Sequence, residues 1–456
     1  MTTTDDATDD VSRHSLRIAL TALFILMFSS VALGTATAQP DCGTVTYSQG
    51  VDGAQMVENV EQLQCIKENP VGEYRLRNDI DATETVDWDD EAGFEPIGVT
   101  FRGTFDGDGY VIRDLFIDRP EESEVGLFAS TSHNAVVRDV TLEDAFVTGS
   151  SNVGAVVGEN RGDLLDAHAS GVVEGEGERN TGGLTGRNVG GDILRSSSTA
   201  EVSGGDLYIG GLVGRNSGLI DESYTDGAVE GDDSVGGVTG YNLGTVRDSY
   251  SHSEVSGRVT IGGVVGHNRG TSELITSYAA GTVRGTTEVR GLVALTSEGS
   301  DVVDSYFDTA SVQRQDAPRA DRQGTPLSTD EMTGDRATSS MVGFDFDETW
   351  RTVTDPDDYP VLAWQVDDRV VDDEPNGIDD EPAPADDEVT DEDTADEEDD
   401  TDEAEDDEVT DTDDDTTDEE DDTADDDVEG MPGFGFFVAL AALVGVALLS
   451  RRSEEE

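Results

Sequence analysis

The residues with the best claim to chemistry are carboxylates that return at regular intervals. Asp166, Glu222, Asp248 and Asp304 each precede a recurring short phrase, so a stacked fold would line them along one edge. Glycan cleavage needs carboxylates paired across a groove, one as acid and the other as base or nucleophile. Yet Arg195 and Thr276 interrupt the row, and the chain holds 103 acidic residues, so a solvated acidic face is the plainer reading. The other reactive types are sparse. None of the five histidines lies in a His-Glu-x-x-His pattern, and there is no Cys-x-x-Cys pair, Ser-His-Asp arrangement or phosphate-binding loop. No catalytic residue, metal or cofactor is therefore expected. Asp106-Gly107-Asp108-Gly109 could open a calcium loop, but the twelfth position from Asp106 is Ile117 rather than Glu, which leaves a tight turn.

The elements that would position these groups repeat. Gly182-Gly183-Leu184-Thr185-Gly186-Arg187-Asn188 returns at 210–216, 236–242 and 262–268, with a looser copy at 154–160. Copies without the Asn stand at 126–131 and 291–296, as atypical end units of a stack should. The phrase ends on Asn160, Asn188, Asn216, Asn242 and Asn268, spaced 28, 28, 26 and 26 residues apart. Units this short cannot bury an apolar face alone, so each must stack on its neighbours. Short Val, Leu and Ile runs between Gly, Asn and Ser predict brief strands and tight turns. The expected fold is all-β, a right-handed parallel β-helix of about seven coils spaced ~4.8 Å apart. The five Asn form an expected inward ladder, bonding the turns of their own and adjacent coils. Tyr224, Tyr250, Tyr278 and Tyr306 fall in register with Ser197 and His168. That column reads as stacked packing, with a sugar platform as its alternative.

These phrases resemble GLUG-type repeats, which occur in many secreted and surface proteins. The flanks 74–81 and 101–110 agree, as do Ser305-Tyr306-Phe307-Asp308 and Tyr359-Pro360-Val361-Leu362. The resemblance covers most of 70–365 and implies architecture rather than activity. In bacterial immunoglobulin-A proteases such repeats accompany a zinc-peptidase domain, whose His-Glu-x-x-His helix is missing here.

The formal net charge is −76, which makes direct nucleic-acid binding improbable. Lys67 is the single lysine. An acidic surface nearly free of lysine resembles proteins of extreme halophiles, in which salt screens carboxylate repulsion. Residues 1–38 have the form of a signal peptide: basic Arg13, His14 and Arg17, an apolar run, then Ala36-Thr37-Ala38 as cleavage site, with an uncleaved anchor as the alternative. Cys42 and Cys65, the only cysteines, predict one disulfide in an exported chain, closing a loop over a helix at 55–67. Residues 39–100 are expected to form an N-terminal cap, 101–308 the solenoid, and 309–366 a C-terminal cap folded on the last coil.

Residues 367–430 form an expected disordered, acidic, Thr-rich linker, since they offer too little apolar surface to offset ordering entropy. Beyond it, Gly433 to Leu449 is an apolar run of minimal membrane-spanning length, followed by Arg451 and Arg452. The Pro432-Gly433-Phe434 tripeptide, one apolar helix and terminal arginines over 431–452 resemble the PGF-CTERM sorting signal of archaeal surface proteins. That resemblance implies processing by an archaeosortase and attachment of a prenyl-type lipid, with a retained transmembrane helix as the alternative. The chain is thus expected to be exported and anchored at the cell surface. Its expected role is structural or adhesive, toward surface glycans or S-layer proteins. A polysaccharide-active hydrolase or lyase is the competing class, and cation capture by stacked carboxylates a third.

Overall fold

A computed structural model describes residues 39–98, 100–177, 179–312, 323–353 and 358–367. The signal segment with Ala36 and Ala38, the linker beyond 367, and the sorting segment with Pro432, Gly433 and Phe434 lie outside the described residues.

The repeats stack as a parallel β-solenoid of about eight turns. Strand pairing follows the repeat register directly: Asn160 pairs with Asn188, Asn188 with Asn216, Asn216 with Asn242 and Asn242 with Asn268. Three sheets carry the coils, one long, one seven-stranded (128–130 through 293–296) and one five-stranded (179–182 through 288–290). Parallel pairing begins upstream of the first repeat phrase, because Gln55–Val57 pairs with Glu73–Leu76, which pairs with Thr104–Asp106.

Each coil buries one aliphatic residue of the long sheet on its neighbour's. Val137, Leu164, Ile193, Ile220, Val246 and Leu274 form a continuous column, each 1% exposed or less. Burying such a side chain contributes roughly 1.5–3 kcal/mol, and only stacking makes the burial available. The second glycine of the phrase is fixed by close approach. A Cβ on Gly183, Gly211, Gly237 or Gly263 would lie 2.1–2.3 Å from a glycine carbonyl oxygen of the next coil.

The expected helix at 55–67 is shorter. Val60–Cys65 is helical, with Asn59 capping it by accepting from the Gln62 amide at 2.9 Å, and a 3₁₀ turn continues through Glu68. Gln55–Val57 is a strand instead, because its amides and carbonyls pair with Glu73–Leu76. Cys42 and Cys65 are joined as a disulfide with Cα atoms 5.3 Å apart, tying the first described residues to this helix.

Beyond the last coil, Thr325–Leu327 adds one more parallel strand to Tyr306–Asp308. Two short helices follow, Thr329–Met332 and Gly334–Ser340, then the antiparallel pair Trp350–Arg351 with Val361–Leu362 and a final helix Ala363–Asp367. The segment runs back along the flank, so that Trp364 lies 5.8 Å from Tyr224 and 5.6 Å from His168.

Candidate functional site

The asparagine column is fully buried and bonded throughout. Each Nδ2 donates to the next Oδ1, from Asn160 to Asn188 at 3.0 Å, Asn188 to Asn216 at 2.9 Å, Asn216 to Asn242 at 2.9 Å and Asn242 to Asn268 at 2.8 Å. The same amides reach their own turns, donating to the carbonyls of Gly162, Gly191, Gly218 and Gly244. Side chains of other types close the ladder at each end. Thr131 Oγ1 donates to Asn160 Oδ1 at 2.6 Å, and Ser272 Oγ donates to Asn268 Oδ1 at 2.8 Å. A row with its hydrogen bonds committed in this way offers a ligand little.

A second ladder runs through serines that sequence reasoning passed over. Ser223, Ser249, Ser277 and Ser305 each accept an amide from the preceding coil's serine at 3.1–3.2 Å. Each also donates to the carbonyl two residues back, Ser223 to Asp221 at 2.8 Å for example. The signal was present in the recurring Ser-Tyr dipeptide, whose serine had no assigned task.

The recurrent carboxylates have a conformational cause. Asp139, Asp166, Arg195, Glu222, Asp248, Thr276 and Asp304 occupy one corner of successive coils, with φ between 42° and 51°. Aspartate tolerates this left-handed region better than most residues, so its recurrence marks the turn. The interruptions bind their neighbours. Arg195 holds Asp166 through two bonds of 2.8 and 2.6 Å, and Thr276 Oγ1 donates to Asp248 at 2.6 Å. Asp248 also accepts from Trp350 Nε1 at 3.3 Å, and burial raises its carboxyl above the ordinary range. Glu222 rises likewise, from burial and then from Asp221. At the other candidate loop, Asp106 is buried between Arg75 and Arg138 at 3.3 and 2.7 Å, and Asp108 and Gly109 take positive φ as a tight turn does.

The tyrosine column is roofed. Tyr224, Tyr250 and Tyr278 stack at 5.1 Å with rings within 9° of parallel. Their hydroxyls are taken by the returning segment: Tyr278 donates to the Pro360 carbonyl at 2.7 Å, Tyr306 to Val342 at 2.8 Å, and Tyr250 meets Gln365 at 3.1 Å. Trp350, fully buried, lies 5.7 Å from Tyr278 and 6.1 Å from Tyr250. Ser197 leaves the column without a ring, and Trp364 lies against the rings on both sides of that gap. Half-buried His252 bonds Tyr278 at 2.9 Å, and desolvation holds its imidazole below the ordinary value.

The outward column of the seven-stranded sheet is different. It runs Ser130, Glu159, Arg187, Arg215, Tyr241, His267 and Leu295. Buried Glu159 is held by Arg161 at 2.5 Å and Arg187 at 3.1 Å. Arg215 lies 5.7 Å above the Tyr241 ring, and Tyr208 and His267 pack on that ring at 4.4 and 5.3 Å. Among the described residues, no group of three or more His, Cys, Asp and Glu side chains is placed to hold a metal, and no helix is long and apolar enough to cross a membrane.

Fold and columns together define a repeat-built β-solenoid whose polar ladders serve its own stacking. Residues 431–452 match the PGF-CTERM motif, which marks the chain as an archaeosortase-processed protein anchored at the cell surface. A stretch of 130 residues, 26% of this chain, is 38% identical to part of halomucin from Haloquadratum walsbyi. Another of 153 residues, 31% of the chain, is 30% identical to a protein of Evansella cellulosilytica provisionally named a Gly-rich membrane protein. These matches cover 1% and 18% of those relatives' own lengths. A solved Bacteroides ovatus chain provisionally named an immunoglobulin A1 protease is similar over 69% of this chain and 94% of its own, with 19% identity and a TM-score of 0.47.

Proposed function

We propose that this protein is a structural and adhesive element of the cell surface, displaying its solenoid toward surface glycans or neighbouring S-layer proteins. The observation that carries the reading is the state of the corner row. Its acidic side chains sit where the backbone needs left-handed residues, and Arg195, Thr276 and Trp350 engage Asp166 and Asp248. That arrangement serves stacking rather than the acid–base pair of a glycan-cleaving enzyme. In this reading residues 1–38 direct export with cleavage after Ala38. The solenoid of 101–308, between segments 39–100 and 309–366, precedes the acidic linker of 367–430. The archaeosortase acts near Pro432-Gly433-Phe434 and a prenyl-type lipid replaces the helix.

A deletion strain tests the role. Cells without the protein should lose attachment or envelope integrity and regain it from the intact gene. Unchanged attachment and envelope, with loss of a polysaccharide-cleaving activity, would overturn the reading. Mass spectrometry of the mature C-terminus checks the processing step, and a tail still ending at Glu456 would leave a plain membrane anchor.

A further inference from the structure

Two left-handed positions recur in this solenoid, and the second carries an aromatic ring. Along the column that runs through the second residue of the five-stranded sheet's strands, successive coils place Glu124, Asn152, Asn180, Tyr208 and Ser234 at φ of 61°, 55°, 61°, 66° and 55°. The neighbouring coils carry asparagine or serine there, and Glu124 begins the column; Tyr208 alone puts a ring in a region that costs an L-residue roughly 1–2 kcal/mol. The ring so held stacks 4.4 Å from Tyr241. Tyr241 in turn lies beneath the Arg215 guanidinium and accepts from Arg269 Nη1 at 2.9 Å. A ring held in the left-handed region and stacked on a second ring is an indication of use.

The cations around these rings are the second observation. The chain has 103 acidic side chains against 27 basic ones, and most of its described arginines are paired with carboxylates. Arg179, Arg215 and Arg269 have no carboxylate partner among the described residues, and burial, then Arg187 and Arg179, holds the Arg215 guanidinium below its ordinary value. Arg215 Nε is buried without a hydrogen-bond partner. In so acidic a protein a guanidinium without a carboxylate partner among the described residues keeps its terminal nitrogens for an incoming anion.

We propose that Tyr208, Arg215, Tyr241 and His267 form a binding site for an acidic saccharide, a sugar bearing carboxylate or sulfate. The Tyr208 ring offers a face to the apolar side of a pyranose. Arg215 supplies the charged hydrogen bonds to its anionic group. The net charge of −76 does not forbid this. At molar salt the Debye length is about 3 Å, so distant carboxylates are screened while groups in contact still bond. The proposal rests on the adhesive reading and supplies its ligand class.

Calorimetry of the full-length chain in molar potassium chloride, titrated with oligogalacturonate, tests it. The acidic oligosaccharide should bind, and a neutral galacto-oligosaccharide should not. Arg215→Gln and Tyr208→Asn should each weaken binding roughly tenfold or more. Tyr208→Asn restores the asparagine of adjacent coils, so circular dichroism should show an intact fold. No binding by the parent chain, unchanged binding in Tyr208→Asn, or equal binding of polyaspartate would overturn the proposal. Deletion cells that still lose attachment under any of these outcomes would leave the surface role standing without this ligand.

Discussion

The tyrosine column on the long sheet and the tyrosine–arginine patch on the seven-stranded sheet draw on the same residue types and end in different environments. In the column, three parallel rings are covered by Phe344, Trp350, Tyr359 and Trp364, and the hydroxyls of Tyr250, Tyr278 and Tyr306 meet Gln365, Pro360 and Val342. In the patch, the rings meet at 42° and 78°, and among the described residues their partners belong to the solenoid itself and the cation over them has no carboxylate partner. The difference teaches that an aromatic ladder is packing when its own chain supplies a roof for it. Where strain and unpaired cations accompany the rings, recognition is the better account.

The comparison can be broken most directly at the roof. Trp350→Ala should destabilise the protein by about 3–5 kcal/mol, since a fully buried indole leaves a cavity against Tyr250 and Tyr278. Chemical denaturation in molar salt measures this, and a change under about 1 kcal/mol would mean the segment does not pack there. The buried ladder sets a scale inside the stack. Asn216→Ala removes bonds to Asn188, Asn242 and Gly218, and the unsatisfied groups should cost about 2–4 kcal/mol in the same assay.

Tyr278→Phe should lose about 1–3 kcal/mol, because the Pro360 carbonyl and His252 lose their partner. Tyr208→Asn should instead stay within about 1 kcal/mol of the parent, as strain relief offsets the lost ring contact. Equal losses from these two tyrosines would erase the distinction between column and patch.

The smallest expected effect is a pH slope. Burial holds His252 below its ordinary 6.5, with Asp226 and Asp358 opposing the shift. As pH falls below 6.5 the unfolded chain protonates first, so it binds more protons and stability declines until the folded pKa is reached. Above that window the contribution is complete. His252→Gln should flatten this part of the stability–pH curve, and an unchanged slope would assign it to other groups.

Much of the fold was legible because stacking obliges like residues to meet. The asparagine spacing of 28 and 26 residues and the glycine phrase give the strand register residue by residue. The corner carboxylates were legible as a row but not as a conformational device, since a sequence shows charge and hides φ. The serine ladder stood in view beside each tyrosine and was missed for want of an assigned partner.

By itself the sequence determined the repeat, its parallel register and its glycine contacts, because each depends on the same residue recurring one coil later. Tertiary structure alone decided which aromatic column is roofed. Tyr278 meets Pro360 across 82 residues and Trp364 meets Glu222 across 142, separations that no period announces. It also decided that Tyr208 takes a left-handed backbone beside arginines with no carboxylate partner among the described residues, because a backbone torsion and a missing partner exist only once the coils are stacked.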